Sequence, residues 1–158
     1  MYEILIVGGG PAGLTAAIYA ARAGKHVAVL ERGSTGGQII SAPLVENYPG
    51  IPSVSGTELA RQMTEQACTF GAEIVYTEAV GLEKTQAGFR VLCTDGVREA
   101  KAVILATGAA HRRLGLAAEE ALTGCGVSYC AVCDGAFYEG LDVAVVGGGD
   151  TALQDTLF

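Results

Sequence analysis

Residues 3–31 read EILIVGGGPAGLTAAIYAARAGKHVAVLE. A short apolar run leads into three glycines, an alanine-rich stretch follows, and a second apolar run ends at Glu31. Short, nearly continuous apolar runs are typical of strands buried on both faces of a parallel sheet. The stretch therefore predicts a strand, a helix and a parallel second strand, which is the beginning of an α/β fold.

The glycines between the first strand and the helix have the spacing Gly8-x-Gly10-x-x-Gly13. In a dinucleotide-binding turn, the first glycine permits the tight turn, the second lets the backbone approach a pyrophosphate, and the third lets helix and strand pack closely. The N-terminus of the helix attracts an anion, and Glu31 can accept a hydrogen bond from a ribose hydroxyl. The alternative is a tight turn without a ligand and a solvent-exposed Glu31. The complete pattern favours a dinucleotide site in a Rossmann-like domain.

The next segments continue this domain. Residues 33–54 are rich in Gly, Ser and Pro without any period, which indicates a long functional loop. A helix is predicted over 55–70, because Ser55 and Glu58 have capping-box spacing and Gly71 follows as a stop. The apolar face of this helix is predicted to contain Leu59, Met63, Ala67 and Phe70.

Further strands follow the second helix. The run AEIVY at 72–76 predicts a short third strand, and Asp95-Gly96 is a strong hairpin signal between two alternating runs. The run AVILATG at 102–108 predicts another buried strand. The sheet is therefore expected to join parallel strands to a β-meander.

Composition excludes several classes of protein. The chain has 158 residues and a net charge of −7, and it contains no block of Lys and Arg, so a nucleic-acid-binding surface is not expected. No apolar run approaches the ~20 residues that span a bilayer. The beginning of the chain has no basic region followed by a cleavage site, so we expect a cytoplasmic protein.

The five cysteines are too few and too uneven for a secreted disulfide framework. Cys130 and Cys133 form a C-x-x-C followed by Asp134, a spacing that can close a small disulfide with one thiol of lowered pKa. Half of a zinc site is the alternative, but neither a second C-x-x-C nor a nearby histidine completes it in the sequence. Asp134 is either a proton donor and acceptor for thiol–disulfide exchange or a turn residue before Gly135.

The other cysteines give weaker signals. Cys68 and Cys93 are expected to be inert core residues, and Cys125 is ambiguous. A redox-active cysteine pair in the same chain as a dinucleotide site indicates electron transfer from a cofactor to a disulfide. A nicotinamide gives up a hydride, whereas thiols form stepwise, so a flavin is the natural carrier between them.

At this point the sequence resembles the low-molecular-weight thioredoxin reductases. The matching pieces occur in that family's order along nearly the whole chain: GGGPAGLTAAIYAAR at 8–22, GGQI at 36–39, VENYPG at 45–50, ATGA at 106–109, CAVCDGAFY at 130–138 and VAVVGGGDTALQD at 143–155. The resemblance implies a flavoenzyme that passes electrons from NADPH through FAD to a cysteine pair, and from there to thioredoxin.

The resemblance implies roles for individual residues. The FAD pyrophosphate would be held by Gly8, Gly10, Pro11, Ala12 and Gly13. The adenosine and flavin would be lined by Glu31, Arg32, Gly36, Gly37 and Gln38. The remaining FAD contacts would come from Asn47 at the isoalloxazine, Val80 at the adenine, and Thr107 and Gly108 at the end of the last strand. Cys130 and Cys133 would be the redox disulfide: Cys133 would lie nearer the flavin, Cys130 would attack the partner, and Asp134 would be the acid/base.

The resemblance also implies two domains. Residues 1–112 would be the N-terminal part of the FAD-binding domain, and 113–158 would begin an NAD(P)H-binding domain that carries the cysteine pair. The start of that second site would comprise Gly147, Gly149, Asp150 and Thr151, after a strand at Val143–Val146. Because a nucleotide-binding domain needs on the order of 100 residues, the chain is expected to be an N-terminal portion of an enzyme that is a homodimer when complete, and to be inactive alone.

Two other interpretations stay open. One is the reductase of a peroxiredoxin system, which is disfavoured because the chain begins directly on the first strand. The other is a catalytically inactive FAD-binding module, which would have no use for the cysteine pair. Arg112 and Arg113 resemble a site for the 2′-phosphate of NADPH, but they precede the second glycine motif, so ion pairing is expected instead.

Overall fold

The computed structural model of the protein describes residues 1–42 and 44–157, without the side chain of Cys133. The chain divides into two compact units, Met1–Gly108 and Ala109–Phe158. The sequence-based domain boundary at 112/113 lies a few residues beyond this division. That the first unit is the FAD-binding domain and the second the start of a nicotinamide domain stays a prediction.

The first unit is built on a six-stranded sheet. Its strands are β1 (Tyr2–Val7), β2 (Val27–Glu31), β3 (Glu73–Tyr76), β4 (Ala79–Thr85), β5 (Gly88–Cys93) and β6 (Gly96–Leu105). They lie in the order β3-β2-β1-β6-β5-β4. The first three strands and β6 are parallel, and β4, β5 and β6 form an antiparallel meander. The predicted α/β class is confirmed, and the sequence pattern missed only β4.

Helix α1 (Pro11–Arg22) connects β1 to β2, as predicted. Gly10 is its N-cap and a proline opens it, a position where the missing N–H costs no intrahelical bond. The helix buries one face against the sheet, with Gly13, Leu14, Ala17, Ile18 and Ala21. Each large aliphatic side chain among these contributes roughly 1.5–3 kcal/mol by leaving water, and this packing holds the glycine turn in place.

Helix α2 (Gly56–Thr69) confirms the predicted capping box, since the side chain of Ser55 accepts a hydrogen bond from the Glu58 N–H. Leu59, Met63 and Ala67 are buried as expected. Two expectations are wrong: Phe70 is the exposed C-cap residue, where the Arg22 guanidinium lies over its ring, and Cys68 is exposed. Neither residue points into the core, because helical periodicity places a residue on a face only approximately.

The apolar end of β6 is not buried, contrary to the prediction from AVILATG. Only Ala100 of this strand is buried, and Leu105 is 64% exposed. The hairpin at Asp95-Gly96 is confirmed, with Cys93 paired to Gly96. An apolar run indicates a strand, but it does not indicate whether other elements of the fold cover both faces of that strand.

The described part of the second unit contains three short helices: α3 (Glu119–Leu122), α4 (Ala131–Asp134) and α5 (Asp150–Leu157). A 3-10 helix at Gly135–Tyr138 follows α4. The predicted strand at 143–146 is absent from the described residues, and Val143 and Val146 are each 66% exposed. The physical reason is that a strand is stable only when a neighbour pairs with its backbone, and none of the described residues does so here.

Among the described residues, no helix combines the length and the apolar character needed to cross a membrane.

Candidate functional site: a glycine cradle and a cysteine segment

The turn between β1 and α1 depends on two close backbone approaches. Gly8 has φ +106°, and a Cβ there would lie 2.2 Å from the carbonyl oxygen of Ala106. A Cβ on Gly13 would lie 1.9 Å from the carbonyl oxygen of Gly8. No other residue fits at either position without moving backbone, so the predicted roles of these two glycines in the turn and the close packing agree with the geometry.

Gly10 differs from its two neighbours in the motif. Of the described residues, only the carbonyl oxygen of Gly36 would lie near a Cβ there, at 4.0 Å, so they leave the space in front of the helix open. No side chain of the described residues caps α1, and its first N–H groups have no intrahelical partner. An open, uncapped helix N-terminus with a glycine at its N-cap fits a pyrophosphate, which would accept these N–H groups and interact with the helix dipole.

Glu31, at the end of β2, is tied to this turn. Its Oε2 accepts the Gly9 N–H at 2.7 Å, and its Oε1 accepts the Gly33 N–H at 2.9 Å. A carboxylate oxygen has two lone pairs, so each oxygen can still accept a ribose hydroxyl. Sequence reasoning assigned Glu31 to the ribose and missed its contact with Gly9, which orients the carboxylate toward the glycine turn.

The segment around Gly36 and Gly37 closes the other side of the turn. The Gly36 N–H donates to the Gly9 carbonyl at 2.7 Å, and a Cβ on Gly37 would lie 3.4 Å from the Cα of Gly10. Both glycines have positive φ, of +112° and +55°. The structure therefore brings Gly9 and Gly10 together with Gly36 and Gly37, which are distant in the sequence. With Gly8 and Gly13, these four residues form the glycine cradle. Gln38 lies next to Gly37 in the 3-10 helix Gly37–Ser41.

The cysteine segment lies in the second unit. Cys130 is disulfide-bonded, whereas Cys68, Cys93 and Cys125 are free. The side chain of Cys133 lies outside the described residues, so its pairing with Cys130 stays a prediction.

Asp134 is one helical turn after Cys130, and the two are connected. The Asp134 N–H donates to the Cys130 carbonyl at 3.1 Å. The Ser128 hydroxyl donates to Asp134 Oδ2 at 2.6 Å, and its oxygen accepts the Cys130 N–H at 3.1 Å. The Ser128 side chain therefore links the Asp134 carboxyl group to the backbone of Cys130, and the acid/base role of Asp134 stays a prediction.

A family model described as pyridine nucleotide-disulphide oxidoreductase matches residues 2–156. The chain belongs to this family. The thioredoxin reductase of Listeria monocytogenes is 46% identical over 98% of this chain and 49% of its own length, and that of Bacillus subtilis is 44% identical over 100% and 50%. The solved structure of thioredoxin reductase from Streptococcus pyogenes is 49% identical, with a TM-score of 0.82 over 99% of this chain and 51% of its own.

These similarities confirm the resemblance to thioredoxin reductases. The chain spans about half the length of the curated relatives it matches. Membership of this family, together with the similarity to thioredoxin reductases, implies flavin and nicotinamide cofactors. The glycine cradle fits the dinucleotide part of either cofactor.

The other predicted FAD contacts are less closely gathered than the glycines. A Cβ on Gly8 would lie 3.3 Å from the Cα of Thr107, which places Thr107 and the following Gly108 at the glycine turn. Asn47 is exposed, and Val80 is 64% exposed on β4. Arg32 is exposed and lies 3.9 Å from Glu78. Their roles at a cofactor stay predictions.

The second glycine motif of the chain opens α5. Gly147 has φ +144°, and a Cβ there would lie 3.1 Å from the Cβ of Ala152. Gly149 precedes the helix and its carbonyl accepts the Leu153 N–H at 3.1 Å, while Asp150 and Thr151 form the exposed first turn. A nicotinamide site at these residues stays a prediction.

Sequence reasoning missed the most buried carboxylate of the second unit. Glu119 is 3% exposed and accepts hydrogen bonds from the Tyr129 hydroxyl and from the N–H groups of Leu114, Gly115 and Leu116. These donors, Tyr129 first, lower the pKa of Glu119 to about 2. Tyr129 directly precedes Cys130 and stacks on His111 with ring centroids 4.9 Å apart. No sequence motif indicates such a contact.

Ion pairing was expected for Arg112 and Arg113, and the structure gives such a pair for Arg113. Arg113 pairs with Glu120 at 3.2 Å, as the expectation of ion pairing requires, while both side chains of the pair are largely exposed. The part of the chain that the structure describes holds no group of three His, Cys, Asp or Glu side chains placed to bind a metal ion. Because that part excludes the Cys133 side chain, the zinc interpretation of the C-x-x-C is not tested by it.

Proposed function

We propose that this chain is the flavin- and disulfide-carrying portion of an NADPH-dependent thioredoxin reductase. Electrons would pass from NADPH to FAD, then to a Cys130–Cys133 disulfide, and finally to the disulfide of thioredoxin. One observation carries the proposal: a disulfide-bonded Cys130 next to Asp134 occurs in the same chain as a glycine cradle for a dinucleotide. The homodimeric state and the cytoplasmic location predicted for the complete protein belong to the same proposal.

The first unit would hold FAD by its backbone. Gly10 leaves room for the pyrophosphate at the start of α1, where uncapped N–H groups donate to it. Glu31 would accept a ribose hydroxyl while its contact with Gly9 keeps the carboxylate in place. When bound, the flavin supplies a carrier that accepts a hydride from a nicotinamide and reduces a disulfide.

The cysteine pair would perform the second half of the reaction. Asp134 takes the proton of the Cys130 thiol, and the resulting thiolate attacks one sulfur of the thioredoxin disulfide. A new S–S bond forms, the old one breaks, and the leaving thiolate takes the proton from Asp134. The Cys133 thiolate then attacks Cys130, which releases the second thioredoxin thiolate and restores the Cys130–Cys133 disulfide. One disulfide is reduced and one dithiol is oxidised.

Cysteine variants test this proposal in a protein that continues the chain to the length of its relatives. We expect Cys130→Ser and Cys133→Ser to abolish NADPH-driven thioredoxin reduction and to leave FAD absorbance and flavin reduction by NADPH intact, because those steps use other residues. Cys68→Ser is the matched control, since it removes an exposed free thiol on α2. Near-normal thioredoxin reduction by either variant of the pair would overturn the proposal.

An Asp134→Asn variant tests the proton transfer separately. Loss of a general acid typically slows turnover by roughly 10²–10⁴-fold, and we expect a decrease of this size in stopped-flow measurements of thioredoxin reduction. FAD content and the rate of flavin reduction should not change. An unchanged rate of disulfide reduction would assign Asp134 to the turn alone.

A second candidate is a flavin-binding module without turnover. The exposed Val143–Val146 segment favours it for this chain alone, since none of the described residues pairs with it as a strand ahead of the second nucleotide motif. The two candidates differ in the cysteine variants: a module without turnover would show no difference between Cys130→Ser and the native chain in any electron-transfer assay.

A further inference from the structure

The hydroxyl of Ser128 lies between the two groups that the proposed reaction uses. It donates to Asp134 Oδ2 at 2.6 Å, and its oxygen accepts the Cys130 N–H at 3.1 Å. The Cys130 carbonyl oxygen lies 3.2 Å from the same hydroxyl. A hydroxyl has one hydrogen, and the shorter contact with an ionisable carboxyl is the stronger of its two possible donations.

We propose that Ser128 is a positioning residue for proton delivery by Asp134 during thiol–disulfide exchange. This inference rests on the proposed function. Ser128 acts through Asp134 and does not itself touch the reacting sulfur atoms. Its hydroxyl holds the Asp134 carboxyl group in α4 and also accepts the Cys130 N–H.

The connection is a closed loop of bonds. The Asp134 N–H donates to the Cys130 carbonyl, and the Ser128 side chain joins the Asp134 carboxyl to the Cys130 N–H. Both Cys130 and Asp134 are half-buried, whereas Ser128 is exposed. Without the hydroxyl, the backbone of Asp134 keeps its hydrogen bond to Cys130. The Asp134 side chain, however, loses the hydrogen bond that selects its rotamer.

Placement of this carboxyl affects one step of the exchange. When Cys130 attacks a disulfide, the S–S bond of the target breaks and the leaving thiolate is protonated by Asp134. A basic leaving thiolate needs this proton, whereas a weakly basic one departs without it. The role of Ser128 is therefore visible as a dependence of rate on the leaving group, which a purely structural role would not produce.

The test uses the 158-residue chain, reduced with dithiothreitol and desalted. It is mixed with excess oxidised glutathione, whose leaving thiolate is basic, or with dithionitrobenzoate, whose leaving thiolate is weakly basic. Peptide mass spectrometry follows oxidation at 130–133 and separates it from reactions of Cys68 and Cys125. The variants are Ser128→Ala, Ser128→Thr, Asp134→Asn and, as a matched loss of a hydroxyl elsewhere, Thr69→Ala.

We expect Ser128→Ala to slow the reaction with oxidised glutathione about tenfold, near the lower end of what a lost hydrogen bond to a charged group changes. The reaction with dithionitrobenzoate should be unchanged. Ser128→Thr keeps the hydroxyl and should react with oxidised glutathione at the native rate. Asp134→Asn should lose more of this rate, with the same dependence on the leaving group. Thr69→Ala should react like the native chain.

Failure of the inference and failure of the proposed acid/base role give different results. If Asp134→Asn shows the leaving-group dependence and Ser128→Ala does not, the role of Ser128 is overturned and that of Asp134 is supported. If neither variant shows it, both are overturned. Equal slowing of both disulfides by Ser128→Ala also overturns the inference, because it indicates a structural cap only.

Discussion

At the scale of single residues, Gly10 and Gly13 belong to one turn but differ in the space around them: a Cβ has room at Gly10 and has none at Gly13. We expect Gly10→Ala to fold normally and to weaken FAD binding tenfold or more, since about 1.4 kcal/mol of lost contact with the pyrophosphate is a factor of ten. Gly13→Ala should fail to reach the native fold, because its Cβ would lie 1.9 Å from the Gly8 carbonyl oxygen. Flavin fluorescence titration measures binding, and circular dichroism melting measures the fold.

Gly126→Ala is the matched control for these two variants. A Cβ there meets only Leu122, at ordinary distances of 3.7 Å and beyond, and φ is not positive. It should change neither melting temperature nor flavin binding. Native-like flavin affinity in Gly10→Ala would contradict a pyrophosphate at this turn.

The glycine turn could be predicted from the sequence because Gly8 and Gly13 are required by local backbone contacts. The side-chain contacts could not be predicted. Glu31 as an acceptor for the Gly9 N–H, and Glu119 as an acceptor for three backbone N–H groups, depend on how loops fold back onto the carboxylates. Such contacts join residues without a repeating spacing, so no motif indicates them.

At the scale of elements, the loop before α3 is held by one buried carboxylate. The Tyr129 hydroxyl and the neighbouring backbone N–H groups keep the pKa of Glu119 at about 2, below its ordinary value of 4.5. Because the folded-state pKa is the lower one, ionised Glu119 stabilises the fold fully above about pH 4.5, and this stabilisation is lost as the pH falls toward 2.

Tyr129→Phe tests this pH dependence. Removing the hydroxyl takes away the strongest donor to ionised Glu119, so the variant should unfold at lower urea than the native chain at pH 7. The difference should shrink as the pH is lowered within the window from 4.5 to 2. Tyr138→Phe is the control, since within the described residues its hydroxyl makes no hydrogen bond. A difference that does not depend on pH would show that Glu119 is not responsible.

The N-terminus of α2 gives a simpler prediction. Ser55→Ala removes the acceptor of the Glu58 N–H and should lower the free energy of unfolding by about 1 kcal/mol, the typical cost of a lost N-cap. Urea denaturation measures this change. Ser53→Ala, in the loop before the helix, removes a hydroxyl that makes no hydrogen bond within the described residues and should be neutral; equal effects of the two variants would contradict a specific cap.

Elements were predictable from the sequence where the local pattern of apolar and turn residues is clear, but that pattern does not show whether a strand has a pairing partner. β1, α1 and β2 follow from one contiguous pattern, and the hairpin from Asp95-Gly96. Val143–Val146 has the sequence of a strand but no partner among the described residues, so the pattern alone gave the wrong prediction. β4 was missed because its polar residues hide the alternation.

At the scale of the whole molecule, the first unit contains the glycine cradle and the second unit contains the disulfide-bonded Cys130. The family could be predicted from the order of the motifs along the chain. The burial of β6 could not, since it depends on layers that a sequence pattern does not specify.

The most direct test is to trap the complex with thioredoxin. A Cys133→Ser variant of this chain, reduced and mixed with oxidised thioredoxin, should stop at a mixed disulfide, because the thiol that resolves it is missing. Peptide mass spectrometry should locate that bond at Cys130, in a stoichiometric yield that Cys130→Ser abolishes. No adduct, or an adduct at Cys68 or Cys125, would contradict the proposed function.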